Sequence, residues 1–150
     1  MHYRHTQFAP GFFRAIVIAF FIVIAAIAAG SGEIAAVIVV LVSAGIVTAA
    51  LVVFSRFTVE VTDDRLNASF GWGWPHRTLT WGDAGAARVV RNRWWYGFGI
   101  RWFPGGSLWN VWGLDAVELS LATGKVARIG SDDTDGLLAA LSGRLGAVGS

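Results

Sequence analysis

Residues 15–55, AIVIAFFIVIAAIAAGSGEIAAVIVVLVSAGIVTAALVVFS, decide the architecture of this 150-residue chain. The stretch contains two uncharged runs, Ala15–Gly32 and Ile34–Ser55, which are separated only by Glu33. A helix needs about 20 mostly apolar residues to cross the hydrocarbon core of a bilayer, and the two runs provide 18 and 22 positions. The sequence therefore predicts a transmembrane helical hairpin. The predicted hairpin covers residues 12–55, with helices over 12–30 and 34–55.

A cleaved secretory signal peptide is the alternative for the first run, because a short basic start precedes the small-x-small pattern Ala26-Ile27-Ala28. A second apolar run follows after a short turn, however, and Arg14 interrupts the apolar stretch that begins at Phe12. An uncleaved hairpin is the better interpretation. Small residues four apart in each run allow close helix approach, and packing within the hairpin is favoured over a dimer face. These pairs are Ala25 with Ala29 and Gly45 with Ala49.

Arginine placement predicts the orientation of the hairpin. Arg4 and Arg14 flank the first run and Arg56 closes the second, whereas the connection between them has one acid and no base. The positive-inside rule then places both termini in the cytoplasm, with residues 1–11 as a cytoplasmic N-terminal tail. Eleven arginines against one lysine suggest a GC-rich bacterial genome, so the expected location is a bacterial inner membrane, crossed more than once.

From residue 56 onward the hydrophobic period changes to two, since Phe57, Val59 and Val61 alternate with polar residues. Period two predicts strands with one buried face, and residues 56–150 are expected to form one cytoplasmic all-β domain of seven to eight strands in two packed antiparallel sheets. Leucines at helical spacing follow the acids at 132 and 133 and predict a C-terminal capping helix at about 133–145. The predicted strands are Phe57–Val61, Leu66–Trp74, Arg77–Trp81, Ala87–Arg91, Ile100–Phe103, Leu108–Trp112, Val117–Leu121 and Lys125–Ile129.

Three segments carry a family resemblance, namely Phe57–Leu66, Gly99–Gly106 and Ala116–Leu137. They resemble the bacterial pleckstrin-homology-like (PH-like) domain proteins that follow a two-helix membrane anchor. The resemblance implies a fold used mostly for lipid or protein contact. Phosphoinositide-binding members use a long basic loop between the first two strands, but this chain has the short acidic Asp63-Asp64 there. Selective inositol-phosphate binding is therefore not expected.

Residues 72–112 hold all eight tryptophans and five arginines against one acid. If each strand reverses direction, several of these residues return to the bilayer side, where tryptophan, tyrosine and arginine are favoured. Trp72, Trp74 and Trp81 are in phase with apolar neighbours and are expected in the core. For Trp94, Trp95 and Tyr96, core packing and interface contact both stay open. The predicted membrane-interface or partner-binding residues are Arg91, Arg93, Trp94, Trp95, Tyr96, Arg101 and Trp112.

No pattern of catalytic residues stands out. The chain has no cysteine, and His76 has neither a second histidine nor an evident serine nearby in sequence. Residues 132–136 resemble a calcium loop only superficially, and helix capping explains them better. We therefore expect no enzyme activity, metal or cofactor. Nucleic acid is not an expected partner, because the net charge is only +2.

Two functions remain as hypotheses. The first is a non-catalytic membrane-anchored adaptor that contacts anionic lipid or a membrane-protein partner at the cytoplasmic surface. The second is an accessory or assembly subunit of a larger bacterial membrane complex, in which the same residues form protein interfaces or a homo-oligomer contact.

Overall fold

The structure is a computed structural model that describes residues 2–145. Within them the chain forms an apolar helical hairpin, two β-sheets and a C-terminal helix. A short 3-10 helix spans Trp94–Tyr96. The α-helices are α1 (Gly11–Gly30), α2 (Ile34–Phe54) and α3 (Thr134–Leu145). The strands are β1 (Tyr3–Phe8), β2 (Arg56–Val61), β3 (Arg65–Phe70), β4 (His76–Thr80), β5 (Ala84–Arg91), β6 (Gly99–Phe103), β7 (Gly106–Asn110), β8 (Asp115–Leu121) and β9 (Val126–Gly130).

Helices α1 and α2 are long and apolar enough to cross a membrane, and their bounds lie within one residue of the predicted 12–30 and 34–55. Ala28 is buried in α1, whereas no residue of α2 is buried. A core helix of a soluble protein would be covered by other elements, but these helices cover only part of each other. Their apolar side chains therefore face outward along most of both helices, which is compatible with a surrounding membrane.

The helix pair does not pack through the small residues predicted for it. Gly45 and Ala49 are exposed, and a Cβ atom placed on Gly45 would meet nothing within 4 Å. On the facing helix, Ala29 is also exposed while Ala25 is half-buried. The interpretation of Gly45 and Ala49 as an internal packing face is wrong, because both lie on the outer side of the hairpin.

The N-terminal tail predicted over residues 1–11 is also revised, because it contains strand β1. This strand pairs antiparallel with β2, from Tyr3 opposite Val61 to Phe8 opposite Arg56. One residue further, the amide of Ala9 donates to the carbonyl of Ser55 at 2.8 Å. The helical hairpin is thus inserted between two neighbouring strands of one sheet, in the place of a β-turn.

Two sheets form the β-domain, in the orders β1-β2-β3-β4 and β5-β8-β9-β7-β6. The first sheet is an antiparallel meander, as predicted. The second is not, because β9 folds back from β8 and enters between β8 and β7, where it pairs with β7 in parallel. The prediction of purely antiparallel sheets is therefore wrong for the β7–β9 pair.

Both sheets and α3 contribute to one hydrophobic core. Phe70 of β3 lies 6.0 Å from the ring of Trp109 in β7, measured between centroids, and so joins the two sheets. Leu137 and Leu141 of α3 are fully buried in the same core. The predicted C-terminal helix is confirmed and begins one residue later than expected. Residues 146–150 of the predicted domain lie outside the described residues.

Strand β1 is attached to the start of α3 by two side-chain contacts. The hydroxyl of Tyr3 donates to Asp133 Oδ2 at 3.0 Å, and His5 Nε2 lies 2.5 Å from Asp132 Oδ1. Asp133 also caps the helix, because its Oδ1 accepts from the amide of Gly136 at 3.1 Å. Helix capping is confirmed for Asp133, and the contacts of Asp132 and Asp133 with β1 were not predicted.

Replacing Tyr3 with phenylalanine should lower the free energy of unfolding by about 1 kcal/mol, the net contribution of one hydrogen bond. Burial, and then the hydrogen bond to Asp133, raise the pKa of Tyr3 above its ordinary 10.0. A raised pKa in the folded state gives stability that is present below pH 10 and is lost as the pH rises through the folded pKa. Thermal unfolding at pH 8 and above pH 10 tests this, and Tyr3→Phe should lack part of the alkaline decline. An identical alkaline decline in both proteins would contradict the assignment.

Candidate functional site

Several large aromatic side chains are exposed near the end of the hairpin that joins the β-domain. We call five of them the helix-end aromatic cluster. Trp72, Trp74 and Trp94 are 84%, 74% and 76% exposed. The other two members are Trp95 and Phe98, which are 57% and 39% exposed. Single exposed aromatics are common on protein surfaces, whereas contiguous exposed apolar patches are typical of interaction surfaces.

Trp72 and Trp74 lie beside the last turn of α2. Strand β3 ends at Phe70, and Gly71 then turns the chain with a φ of +53°. A Cβ atom on Gly71 would lie 3.2 Å from the carbonyl oxygen of Val53, so this backbone contacts α2 directly. The predicted core positions of Trp72 and Trp74 are wrong, because the turn at Gly71 interrupts the alternation and directs both rings outward.

Trp81 behaves as predicted. It is only 8% exposed, and its indole Nε1 donates to the carbonyl of Asp63 at 2.9 Å. The period of two continues from Leu79 in β4 to Trp81, so both side chains lie in the core.

The other half of the cluster is connected to α1 by a chain of rings. Phe98 stacks on Trp112 with centroids 4.6 Å apart, and Trp112 meets the edge of Phe12, in the first turn of α1, at 5.8 Å. Trp94 and Trp95 form an edge-to-face pair three to four residues before Phe98. The predicted residue Trp112 is therefore half-buried between the hairpin and the β-domain, and Trp94 and Trp95 project from the adjacent loop.

The Tyr96 side chain lies apart from the ring chain of Phe98, Trp112 and Phe12. Its ring stacks on Phe103 at 5.7 Å, and the guanidinium of Arg128 lies 4.9 Å above the Phe103 ring. Tyr96 thus packs on the outer face of the second sheet, apart from Trp112. Phe12 and Phe98 were not predicted as site residues, because Phe12 belongs to the apolar hairpin segment and Phe98 lies in a segment without a regular hydrophobic period.

The predicted arginines are not one patch. The guanidinium of Arg93 lies 5.0 Å from the ring centroid of Trp95, a member of the helix-end aromatic cluster. Arg91 is 3.5 Å from Asp115, an exposed ion pair of small energetic value. The guanidinium of Arg101 lies against Gly97, where its Nη2 would be 3.6 Å from an added Cβ.

The residues predicted to set orientation flank the attachment of the hairpin. Arg14 lies one turn into α1, and Arg56 begins β2 directly after α2. Arg56 Nε is buried and has no hydrogen-bond partner among residues 2–145. Arg4 lies opposite Glu60 in the β1–β2 ladder. Arg4 and Arg56 line a small polar cavity of about 230 Å³ that also includes Trp72.

A larger groove separates the hairpin from the β-domain. Its volume is about 640 Å³, within the range of about 300–1,000 Å³ that is usual for ligand sites. The lining is mostly apolar, and Arg14 and Arg101 are its charged side chains. The described part of the chain places no carboxylate in this groove. The lining residues are Ala9, Phe13, Arg14, Ile46, Val47, Ala50, Leu51, Phe54, Ser55, Gly97, Phe98, Gly99, Ile100, Arg101, Val111 and Trp112.

A buried carboxylate lies elsewhere, on the outer face of the second sheet. Glu118 is 5% exposed and accepts hydrogen bonds from Arg88 Nε and Arg128 Nε, both at 2.8 Å. Burial by itself raises the pKa of Glu118, but the hydrogen bonds and charges of Arg128 and Arg88 outweigh it, so the pKa lies below its ordinary 4.5. The paired arginines make Glu118 a structural anion.

Within residues 2–145, no three histidine or carboxylate side chains are grouped so that they could hold a metal ion. His5 Nε2 contacts Asp132 between β1 and α3. Comparisons of the chain with protein-family models, with curated proteins and with solved structures find no match.

Proposed function

We propose that this chain is a non-catalytic, membrane-anchored adaptor whose β-domain is held against the surface of a bacterial inner membrane and contacts anionic lipid or a membrane-protein partner there. The observation that carries this proposal is the ring chain from Phe12 through Trp112 to Phe98. It fixes the loop bearing Trp94 and Trp95 at the end of the apolar hairpin. Indole rings are favoured at that depth of a bilayer, since an apolar ring and a polar N–H are both satisfied there.

The attachment of the hairpin supports a single orientation for both ends of the chain. Because Phe8 lies opposite Arg56, the segments before and after the hairpin are on one side of any bilayer that the hairpin crosses. Arg14 and Arg56 lie at that side, and Glu33 lies in the far connection. By the positive-inside rule this side is the cytoplasm. We also propose that the β-domain belongs to the PH-like fold family, because Phe57–Leu66, Gly99–Gly106 and Ala116–Leu137 resemble segments of that family.

Quenching of tryptophan emission by brominated lipids tests the adaptor proposal. With bromines near the headgroup, the full chain in vesicles should be quenched strongly, because four exposed indoles lie at the hairpin end. Replacing those four together with phenylalanine should remove at least half of the quenchable emission. The four substitutions are Trp72→Phe, Trp74→Phe, Trp94→Phe and Trp95→Phe.

Trp81→Phe is the matched control, because Trp81 is buried beside the β2–β3 turn, at the end of β2 away from the hairpin. That substitution should leave the quenchable emission unchanged. If the fourfold variant is quenched as strongly as the unaltered chain, the helix-end aromatic cluster does not face the headgroups.

An accessory subunit of a larger membrane complex is the second candidate, and one observation favours it. Strand β6 is an edge strand of the second sheet, and Trp102 on it is 77% exposed. An open edge with a large exposed ring is typical of a strand that pairs with a partner. Trp102→Ser should then release a co-purifying protein in mild detergent, whereas recovery of the same partners with this variant would count against the accessory role.

A further inference from the structure

We propose that the groove between the hairpin and the β-domain binds one anionic phospholipid of the surrounding leaflet, with an acyl chain along α2 and the phosphate between Arg14 and Arg101. This inference rests on the proposed membrane attachment and names the ligand of that surface.

The apolar wall of the groove runs along the last turns of α2. Ile46 and Phe54 both line it, and eight residues of helix span about 12 Å. Ile46 is 66% exposed, so the groove continues into the outward apolar surface of the hairpin. In a bilayer an acyl chain already lies beside this surface, and it can enter the groove without crossing water.

The charge in the groove selects the headgroup. Arg14 and Arg101 are both exposed, and neither has an ion pair or hydrogen bond with a described side chain. With no described carboxylate in the lining, their two positive charges are left for an outside anion. A guanidinium binds a phosphate through paired N–H donors, and both arginines lie at the level where the hairpin meets the β-domain.

The β-domain completes the site on the side away from the helices. Gly97 has a φ of +69°, a conformation that glycine adopts without strain, and it brings the loop against Arg101. Trp112 and Phe98 form a stacked apolar wall opposite α2. A lipid in this position is therefore enclosed by the hairpin, by the loop after β5 and by the segment after β7.

Native mass spectrometry of the full chain tests the lipid site. The chain is reconstituted in nanodiscs of equal parts phosphatidylglycerol and phosphatidylcholine and is then released into the gas phase. We expect one retained phosphatidylglycerol per chain, with a preference over phosphatidylcholine of about thirty-fold, the product of two arginine contacts near anionic lipid.

Two variants separate charge from shape. Arg14→Gln with Arg101→Gln should abolish the preference, whereas Arg65→Gln with Lys125→Gln removes the same charge away from the groove and should keep it. Ala50→Phe fills the groove with a side chain and should reduce lipid retention at least tenfold, while Ala49→Phe, at a neighbouring position that does not line the groove, should not.

The outcomes distinguish this inference from the proposed function. A chain that fails to enter nanodiscs contradicts the membrane anchor itself. A chain that enters them but retains both lipids equally, or keeps its preference in the double arginine variant, overturns the lipid site alone. Retention of a polypeptide in place of lipid, when the chain is prepared from its host membrane, also overturns it.

Discussion

Replacing residues 10–54 with Asn-Gly is expected to move the protein from the membrane pellet to the supernatant of a carbonate wash. Both flanking residues are already paired, since the amide of Ala9 donates to the carbonyl of Ser55 at 2.8 Å. A two-residue Asn-Gly turn closes this kind of antiparallel pair. The shortened chain should therefore keep the β1–β2 ladder while it loses both apolar helices, and its partition should change from nearly all pellet to nearly all supernatant.

Circular dichroism and tryptophan emission of the shortened chain provide the second measurement. A folded β-domain should retain the buried environment of Trp81 and Trp109, because both side chains belong to the core to which the two sheets and α3 contribute. The full chain, carrying the same tag, is the control and should stay in the pellet. Release of the full chain by carbonate would contradict a membrane-spanning hairpin, and retention of the shortened chain would show that the β-domain alone holds the membrane.

Glu118→Gln should lower the free energy of unfolding by about 3 kcal/mol, a large effect for a single substitution. Removing one partner of a buried ion pair leaves the other charge uncompensated, at a cost of about 3–5 kcal/mol. The Arg128 side chain is 20% exposed and would carry most of that cost. The Arg88 side chain is 74% exposed, so water solvates it when its partner is removed. The expected loss of stability is therefore at the lower end of that range.

Chemical denaturation measures this loss, and Glu60→Gln is its control, because Glu60 is half-buried and makes no ion pair with a described residue. The control should change stability by less than about 0.5 kcal/mol. Adding Arg128→Met to Glu118→Gln should recover part of the loss, since the uncompensated buried charge is then gone. No recovery in the double variant would contradict this account.

The same glutamate makes stability depend on pH. Because the folded pKa of Glu118 lies below 4.5, its contribution is fully present above pH 4.5 and is lost as the pH falls through the lowered pKa. Glu118→Gln should therefore flatten the acid side of the stability curve, which chemical denaturation at a series of pH values from 7 downward measures.

The alternation of apolar residues predicted eight of the nine strands in residues 2–145, but it could not reveal β1. The side chains of β1 that face the core side are Tyr3, His5 and Gln7, opposite Val61, Val59 and Phe57. They are polar or amphipathic, and each makes a hydrogen bond to a specific partner, as when Gln7 Nε2 donates to the carbonyl of Trp112 at 3.0 Å. A strand of this kind has no hydrophobic period to read.

Strand order was harder to predict than strand position. Short connections favour neighbours that are consecutive in sequence, and this rule holds throughout the first sheet. In the second sheet, β9 pairs with β7 instead of lying at the edge. Gly106 allows this approach, because an added Cβ would contact the backbone of Val126 too closely. That contact between distant residues leaves no local pattern.

The candidate site was predictable only in its composition. Residues 72–112 stand out for their tryptophans and arginines, and Trp94, Trp95 and Arg93 do lie together. The partition between core and surface was not predictable for Trp72 and Trp74, because one glycine turn decides it. The groove between Arg14 and Arg101 could not be foreseen either, since its walls come from three separate segments of the chain, within 9–14, 46–55 and 97–112.

The placement of two helices between paired strands has a consequence for biosynthesis. The ribosome synthesises β1 first and synthesises its partner strand β2 only after both helices. Strand β1 therefore lacks its β2 partner while the 47 residues 9–55 are synthesised. The first sheet then closes when the two ends of the hairpin return to the same place. Pairing of β1 with β2 can therefore be completed only after both apolar helices have been made and the two ends of the hairpin have come together.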